Sequence, residues 1–122
     1  MKAELRKLIT MQTGLVSLSE SSKLGLTNTY AVAHNIRVLE PIIDDFNSVR
    51  EKELEKLKKG ADDDGNVENL AVEKMNTSLE KVLGKEHSVE LLSIDMSDMT
   101  ELDVPAKTVA QVIDLILPPN KK

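Results

Sequence analysis

The chain contains no cysteine and no tryptophan, and Tyr30 and Phe46 are its only aromatic residues. Without cysteine there can be no disulfide, no zinc–thiolate site and no thiol nucleophile. With so few rings there is no platform on which the bases of a single strand could stack. Basic residues form no long run, and 16 Lys and Arg against 21 Asp and Glu give a net charge of -5. Such a surface repels phosphate backbones at long range, so nucleic acid is not an expected partner. Long apolar runs are missing too. No stretch approaches the roughly 18 apolar residues that cross a bilayer. The opening "MKAELRKLITMQTGL" is interrupted by charge before any run of signal-peptide length. The expected setting is the cytoplasm, away from membranes.

Motifs that carry chemistry are also missing. There is no glycine-rich phosphate loop, HExxH pair, nucleophile elbow or dinucleotide fingerprint. The serines of "SLSESS" have no neighbouring base to activate them. Asp44/Asp45 and Asp62 to Asp64 lie on segments that read as exposed, which gives a carboxylate no reason to hold a raised pKa. In "GADDDGN", Asp62 and Asp64 precede Gly65 with the spacing of a calcium loop. That alignment, however, puts Gly60 and Ala71 where oxygen ligands are required. No catalytic residue, metal or cofactor is expected, and the chain is not read as an enzyme.

What remains is a globular composition. Of 122 residues, 40% are hydrophobic, enough for one modest aliphatic core. The expected organisation is a single domain over 1–117 with a disordered tail over 118–122. Leu5, Leu8, Ile9, Leu15 and Val16 recur at helical spacing and predict a first helix. Gly14 lies inside it, weakening it or marking a close contact. In "SESSKLGLT", Gly25 supplies a left-handed stop and Thr27 or Asn28 an N-cap. A long helix is expected from about Asn28 to Lys59, with Val32, Ile36, Leu39, Ile43, Phe46, Leu54 and Leu57 on one side. Pro41 should kink it. Gly60 should end it, with Lys56, Lys58 and Lys59 favourable at its negative end.

After the acidic break, Val72, Met75, Leu79, Val82 and Leu83 mark a third helix closed by Gly84. "HSVELLSID" is the one stretch with strand character, and its alternation slips phase between Leu91 and Leu92, as at a bulge or where both faces are buried. Pro105 opens a last helix whose core face is Val109, Val112, Ile113 and Ile116. Pro118 and Pro119 stop it. The expected fold class is therefore mainly α with a minor β element: a helical hairpin with one long kinked helix, a short helix, one strand segment and a C-terminal helix.

Two features point to a homo-oligomer, a dimer or higher. The long helix outreaches a compact domain of this length. The lone strand needs a ladder partner, which "NVENLAV" could supply only weakly, so another subunit is expected to provide it.

"TNTYAVAHNIR" carries the candidate site. At about 100° per residue, Tyr30, His34, Arg37 and Pro41 share one stripe opposite the apolar one. That stripe reads as a solvated face, as a subunit interface, or as a ligand site in which Arg37, with His34 beside it and Asn28 near the helix N-terminus, grips a phosphate or carboxylate. A single helix is convex, so a pocket here needs a second wall. His87, at the start of the strand segment, reads as a turn residue.

The order of "NTYAVAHNIRVLEPIIDDFNSVREKELEK", the "DDDGNVENL" break and "LGKEHSVELLSIDMSDM" with "LDVPAKTVAQVIDLI" resembles a family of small phage and prophage-encoded accessory proteins. The resemblance spans about Asn28 to Ile116. His34 stands where a lysine or arginine would be as typical, so no functional residue transfers onto it. What the resemblance implies is a viral protein in the host cytoplasm with no known reaction. Small size, the expected assembly, the absent catalytic motifs and the Arg37/His34/Asn28 stripe favour action by stoichiometric binding, as counter-defence capture of a host factor or of an anionic, nucleotide-like signal. The alternative is a virion-associated or assembly protein of the tail or head, chaperone-like in its action.

Overall fold

The computed structural model describes residues 1–61, 69–95 and 105–117. The element order is β1 (Lys2–Glu4), α1 (Leu5–Ser19), α2 (Leu26–Lys59), α3 (Asn69–Leu83), β2 (Glu86–Ser88), β3 (Ile94–Asp95), α4 (Ala106–Gln111), a 3-10 turn over Ile113–Leu115, and β4 (Ile116–Leu117). The fold is mainly α with a minor β element, one helix being much longer than the rest. The acidic break, the loop before Pro105 and the Pro-Pro tail expected from the sequence lie outside the described residues.

The core forms where α1 is held between α2 and α4. Leu5, Leu8, Met11, Gly14, Leu15 and Leu18 are the buried positions of α1. They keep helical spacing but sit rotated from the expected stripe. Val16 is 47% exposed and Ile9 only half-buried, while Met11 is inside. The rotation follows from packing on two sides, since α1 must serve α2 and α4 together. Gly14 explains how α4 comes so close. A Cβ there would stand 2.8 Å from both Gln111 Cβ and Val112 Cγ1, so only glycine leaves room. Beside it, Ser17 Oγ and Thr108 Oγ1 share a hydrogen bond of 3.1 Å.

The C-terminal helix is shorter than the sequence suggests, and its inward face differs. It ends at Gln111 and passes into the 3-10 turn. That tightening shifts the phase. Thr108, Val112 and Leu115 are buried, whereas Ile113 is 58% exposed.

The expected intersubunit strand partner is not needed. β1 pairs antiparallel with β2, in register Lys2 with Ser88, Ala3 with His87 and Glu4 with Glu86. The ladder continues at one end through Val89 N–H to the Met1 carbonyl at 2.8 Å and at the other through Leu5 N–H to the Lys85 carbonyl at 2.9 Å. Ile94 and Asp95 pair in parallel with Ile116 and Leu117. Lys2–Glu4 reads as the start of a helix, and only a partner more than eighty residues away makes it a strand. His87 is accordingly a strand residue, not a turn.

α2 is 34 residues long, about 51 Å at 1.5 Å per residue. It starts two residues earlier than expected. Gly25, at φ 81°, is its N-cap, and the Gly25 carbonyl accepts both Thr29 N–H and Thr29 Oγ1. The helix runs on through Pro41. Proline withholds a donor from the Arg37 carbonyl, and one residue earlier the Ile36 carbonyl accepts Gln12 Nε2 at 3.2 Å. The last turn carries Lys56, Lys58 and Lys59 before Gly60 closes it. α3 lies antiparallel to the outer half of α2, Val82 near Phe46 and Ala71 near Lys56, and none of its residues is buried. No helix among the described residues is long and apolar enough to cross a membrane.

Candidate functional site: the groove at Arg37

The residues singled out in "TNTYAVAHNIR" occupy three different environments. Asn28 faces inward and is 1% exposed. Its Nδ2 donates to the Leu24 carbonyl at 3.1 Å and the Asp95 carbonyl at 2.9 Å, and its Oδ1 accepts Asp95 N–H at 3.0 Å. Both amide hydrogens are engaged with backbone. Asn28 is therefore neither an N-cap nor a group that can reach toward a ligand outside.

Tyr30 and His34 lie on the outer face, one turn apart. Tyr30 is 65% exposed and His34 half-buried. Their rings stack with centroids 6.4 Å apart and planes inclined by 23°. The stripe reading places them correctly outside the core.

Arg37 stands apart from that pair. At 100° per residue it falls about 20° to one side of Tyr30, while His34 falls about 40° to the other. That offset puts Arg37 at the edge of an open groove of about 320 Å³, whose lining includes Ser19, Leu24, Val32, Ile36 and Glu40. Ser19 ends α1 and Leu24 belongs to the turn that follows. The second wall that a convex helix lacks thus comes from the same chain, because the short connection folds α1 back along α2.

The floor of the groove is aliphatic, from Leu24, Val32 and Ile36. Thr29 and Ser19 have their hydroxyls already donated to the carbonyls of Gly25 and Val16. The charged groups at the rim are Arg37 and Glu40, on consecutive turns of α2. Neither makes an ion pair among the described residues. An arginine held free at the rim of an apolar trough can take an anion bidentately. The carboxylate beside it accepts N–H donors.

Sequence reasoning missed Asn35. Its side chain is fully buried; Oδ1 accepts Leu92 N–H at 2.7 Å and Nδ2 donates to the Leu92 carbonyl at 2.9 Å. Asn28 does the same for Asp95 two turns earlier. Two carboxamides thus act as ladder partners for Leu92 and Asp95, beside the pairing of Ile94 and Asp95 with β4, and this accounts for the phase slip there. Val89 and Ile94 are buried while Leu92 is 38% exposed. The signal was available, since Asn28, Val32, Asn35 and Leu39 alternate in steps of four, three and four, the spacing of one buried stripe.

A second cleft, of about 280 Å³, opens between α2 and α3 beside Phe46, with Asp45, Lys85 and His87 at its edge. No group of three or more His, Cys, Asp or Glu among the described residues is arranged to hold a metal ion. Comparison with family models, with curated proteins and with solved structures finds no match for the chain.

Proposed function

We propose that the chain works by stoichiometric capture of a small anionic ligand in the groove at Arg37. The observation that carries this reading is an arginine, without an ion pair among the described residues, at the rim of an open, apolar-floored groove. Ligand sites of this kind combine an apolar lining with a few polar groups that fix orientation. Arg37 would hold the phosphate or carboxylate. Ile36 and Ala33, backed by the buried Leu24 and Val32, would cover a base or aliphatic body, and Glu40 would accept its N–H donors. Because Glu40 repels anions, the charged end of the ligand belongs at Arg37 and the neutral end beside Glu40. A nucleotide has this polarity.

Joined to the resemblance described above, this is the reading of a phage accessory protein in the host cytoplasm that sequesters a nucleotide-like signal without chemistry. A virion-associated or assembly role is the second reading, and the half-exposed apolar residues of α3 favour it. The test is a native mass spectrum of the chain purified gently from cells expressing it. Added mass in whole-number copies is expected, and Arg37→Glu should lose it while the assembly state stays the same. A spectrum without added mass, or added mass that Arg37→Glu retains, rejects capture at this groove.

A further inference from the structure

Phe46 is the last buried residue of α2, and beyond it the helix continues for another 13 residues to Lys59, about 20 Å. Among the described residues, α3 is the element that lies beside that length. The pair does not close a core of its own: no residue of α3 is buried, and Met75, Leu79 and Val82 are each only partly covered. Val49, on the seam, is 44% exposed. Two clefts of about 280 Å³ each run along the seam, one beside Asp45, Val49 and Val82, the other beside Lys56, Ala71 and Met75. Two helices that meet along an unfilled seam need a further layer to bury it.

Charge along the rim indicates what that layer is. Asp45, Val49, Lys52 and Lys56 fall within about 60° of one another on α2, forming a single stripe. The stripe is acidic at its inner end and basic at its outer end, with Val49 between them. Asp45 makes no ion pair among the described residues, and Lys56 reaches only Glu53 of its own helix, at 3.5 Å. A stripe with opposite charges at its two ends is complementary to itself when one copy is turned end for end. An isologous contact requires that property.

We propose that a second copy of this chain covers this face, its α2 antiparallel to the first across a two-fold axis near Val49. Asp45 of each copy then lies against Lys52 and Lys56 of the other, and the apolar edges of both seams close a four-helix layer. A strip about 20 Å long and two helix diameters wide covers on the order of 400 Å² in plan, and more with side-chain relief. A specific interface begins at roughly 500 Å² per partner. The proposal uses none of the groove residues, so it and the capture reading fail separately.

The experiment is sedimentation equilibrium on the full chain, with helicity followed by circular dichroism. Wild type is expected to be a dimer. Val49→Glu should weaken it by roughly tenfold or more, and Asp45→Lys and Lys56→Asp should each weaken it by placing like charges opposite one another. Mixed in equal amounts, Asp45→Lys and Lys56→Asp should recover a heterodimer. The two substituted positions then face each other with opposite charges at one contact, while the native pair is kept at the second. That recovery depends on matched charges and cannot come from damaged folding. A monomeric wild type overturns the proposal and leaves the face to a different protein. A dimer indifferent to Val49→Glu, or single variants that do not recover on mixing, overturns it as well.

Discussion

Asn35 holds Leu92 by both of its backbone groups, with hydrogen bonds of 2.7 and 2.9 Å from a side chain that is fully buried. The pairing copies a strand ladder with a helix side chain. Removing the carboxamide takes both part-buried hydrogen bonds from the Leu92 backbone at once, and losing a pair of such bonds costs about 1–3 kcal/mol. Asn35→Ala should therefore lower unfolding stability by about that much in a urea titration. It should also abolish the hydrogen-exchange protection of the Leu92 amide. Asn28→Ala should do the same for the Asp95 amide and leave Leu92 protected.

Gly14 should tolerate no side chain. Gly14→Ala places a methyl 2.8 Å from Gln111 Cβ and Val112 Cγ1, and overpacking of that kind costs about 1–3 kcal/mol. Denaturant midpoints would measure it. Adding Val112→Ala removes one of the two clashes, so the double variant should be more stable than the sum of the single changes predicts.

The phase of α1 is open to direct test. Leu15 is fully buried whereas Val16 is 47% exposed. Leu15→Ala should cost about 2–5 kcal/mol; Val16→Ala should stay within about 0.5 kcal/mol of wild type. Equal losses would contradict the rotation of the helix described above.

Arg37→Glu should change ligand binding without changing stability. The side chain is exposed and makes no ion pair among the described residues, so the melting temperature should hold. Tyr30→Ala, on the neighbouring line of the helix but outside the groove, should leave binding unchanged. The two variants compared in one titration separate the groove from the aromatic pair.

Much of the helical framework is legible in the sequence because its signals are local. Gly60 and Gly84 end their helices, the lysines gather at the end of α2, and Gly14 marks a close contact. Tyr30 and His34 can be placed on the outer face by counting 100° per residue. What is not legible depends on distant partners. Lys2–Glu4 has no strand character until residues 86–88 come beside it. Asn35 falls in the buried stripe with Val32 and Leu39, but its partner, the backbone of Leu92, has no side-chain signature, so the contact itself cannot be read. The groove was missed as a groove because Ser19 and Leu24 have no chemistry of their own to announce. They matter only because the turn after α1 lays them beside Arg37. The inward face of α4 was misjudged because a helix of 6 residues gives too short a period to fix its phase before the 3-10 turn changes it.

The pairing of Lys2–Glu4 with Glu86–Ser88 also sets an order of events during synthesis. The first strand leaves the ribosome ahead of its complement and waits while some eighty residues are added, on the order of several seconds at ordinary elongation rates. The α1–α2 contact is close in sequence and can form within that interval. Residues 92–95 can dock on Asn28 and Asn35 as soon as they emerge, but Ile94 and Asp95 pair only after Ile116 and Leu117 have followed. The nascent chain is thus a helical pair with an unmatched edge until residues 86–88 emerge. The first small sheet closes once residues 86–88 have emerged, and the second only after residues 116–117 have followed.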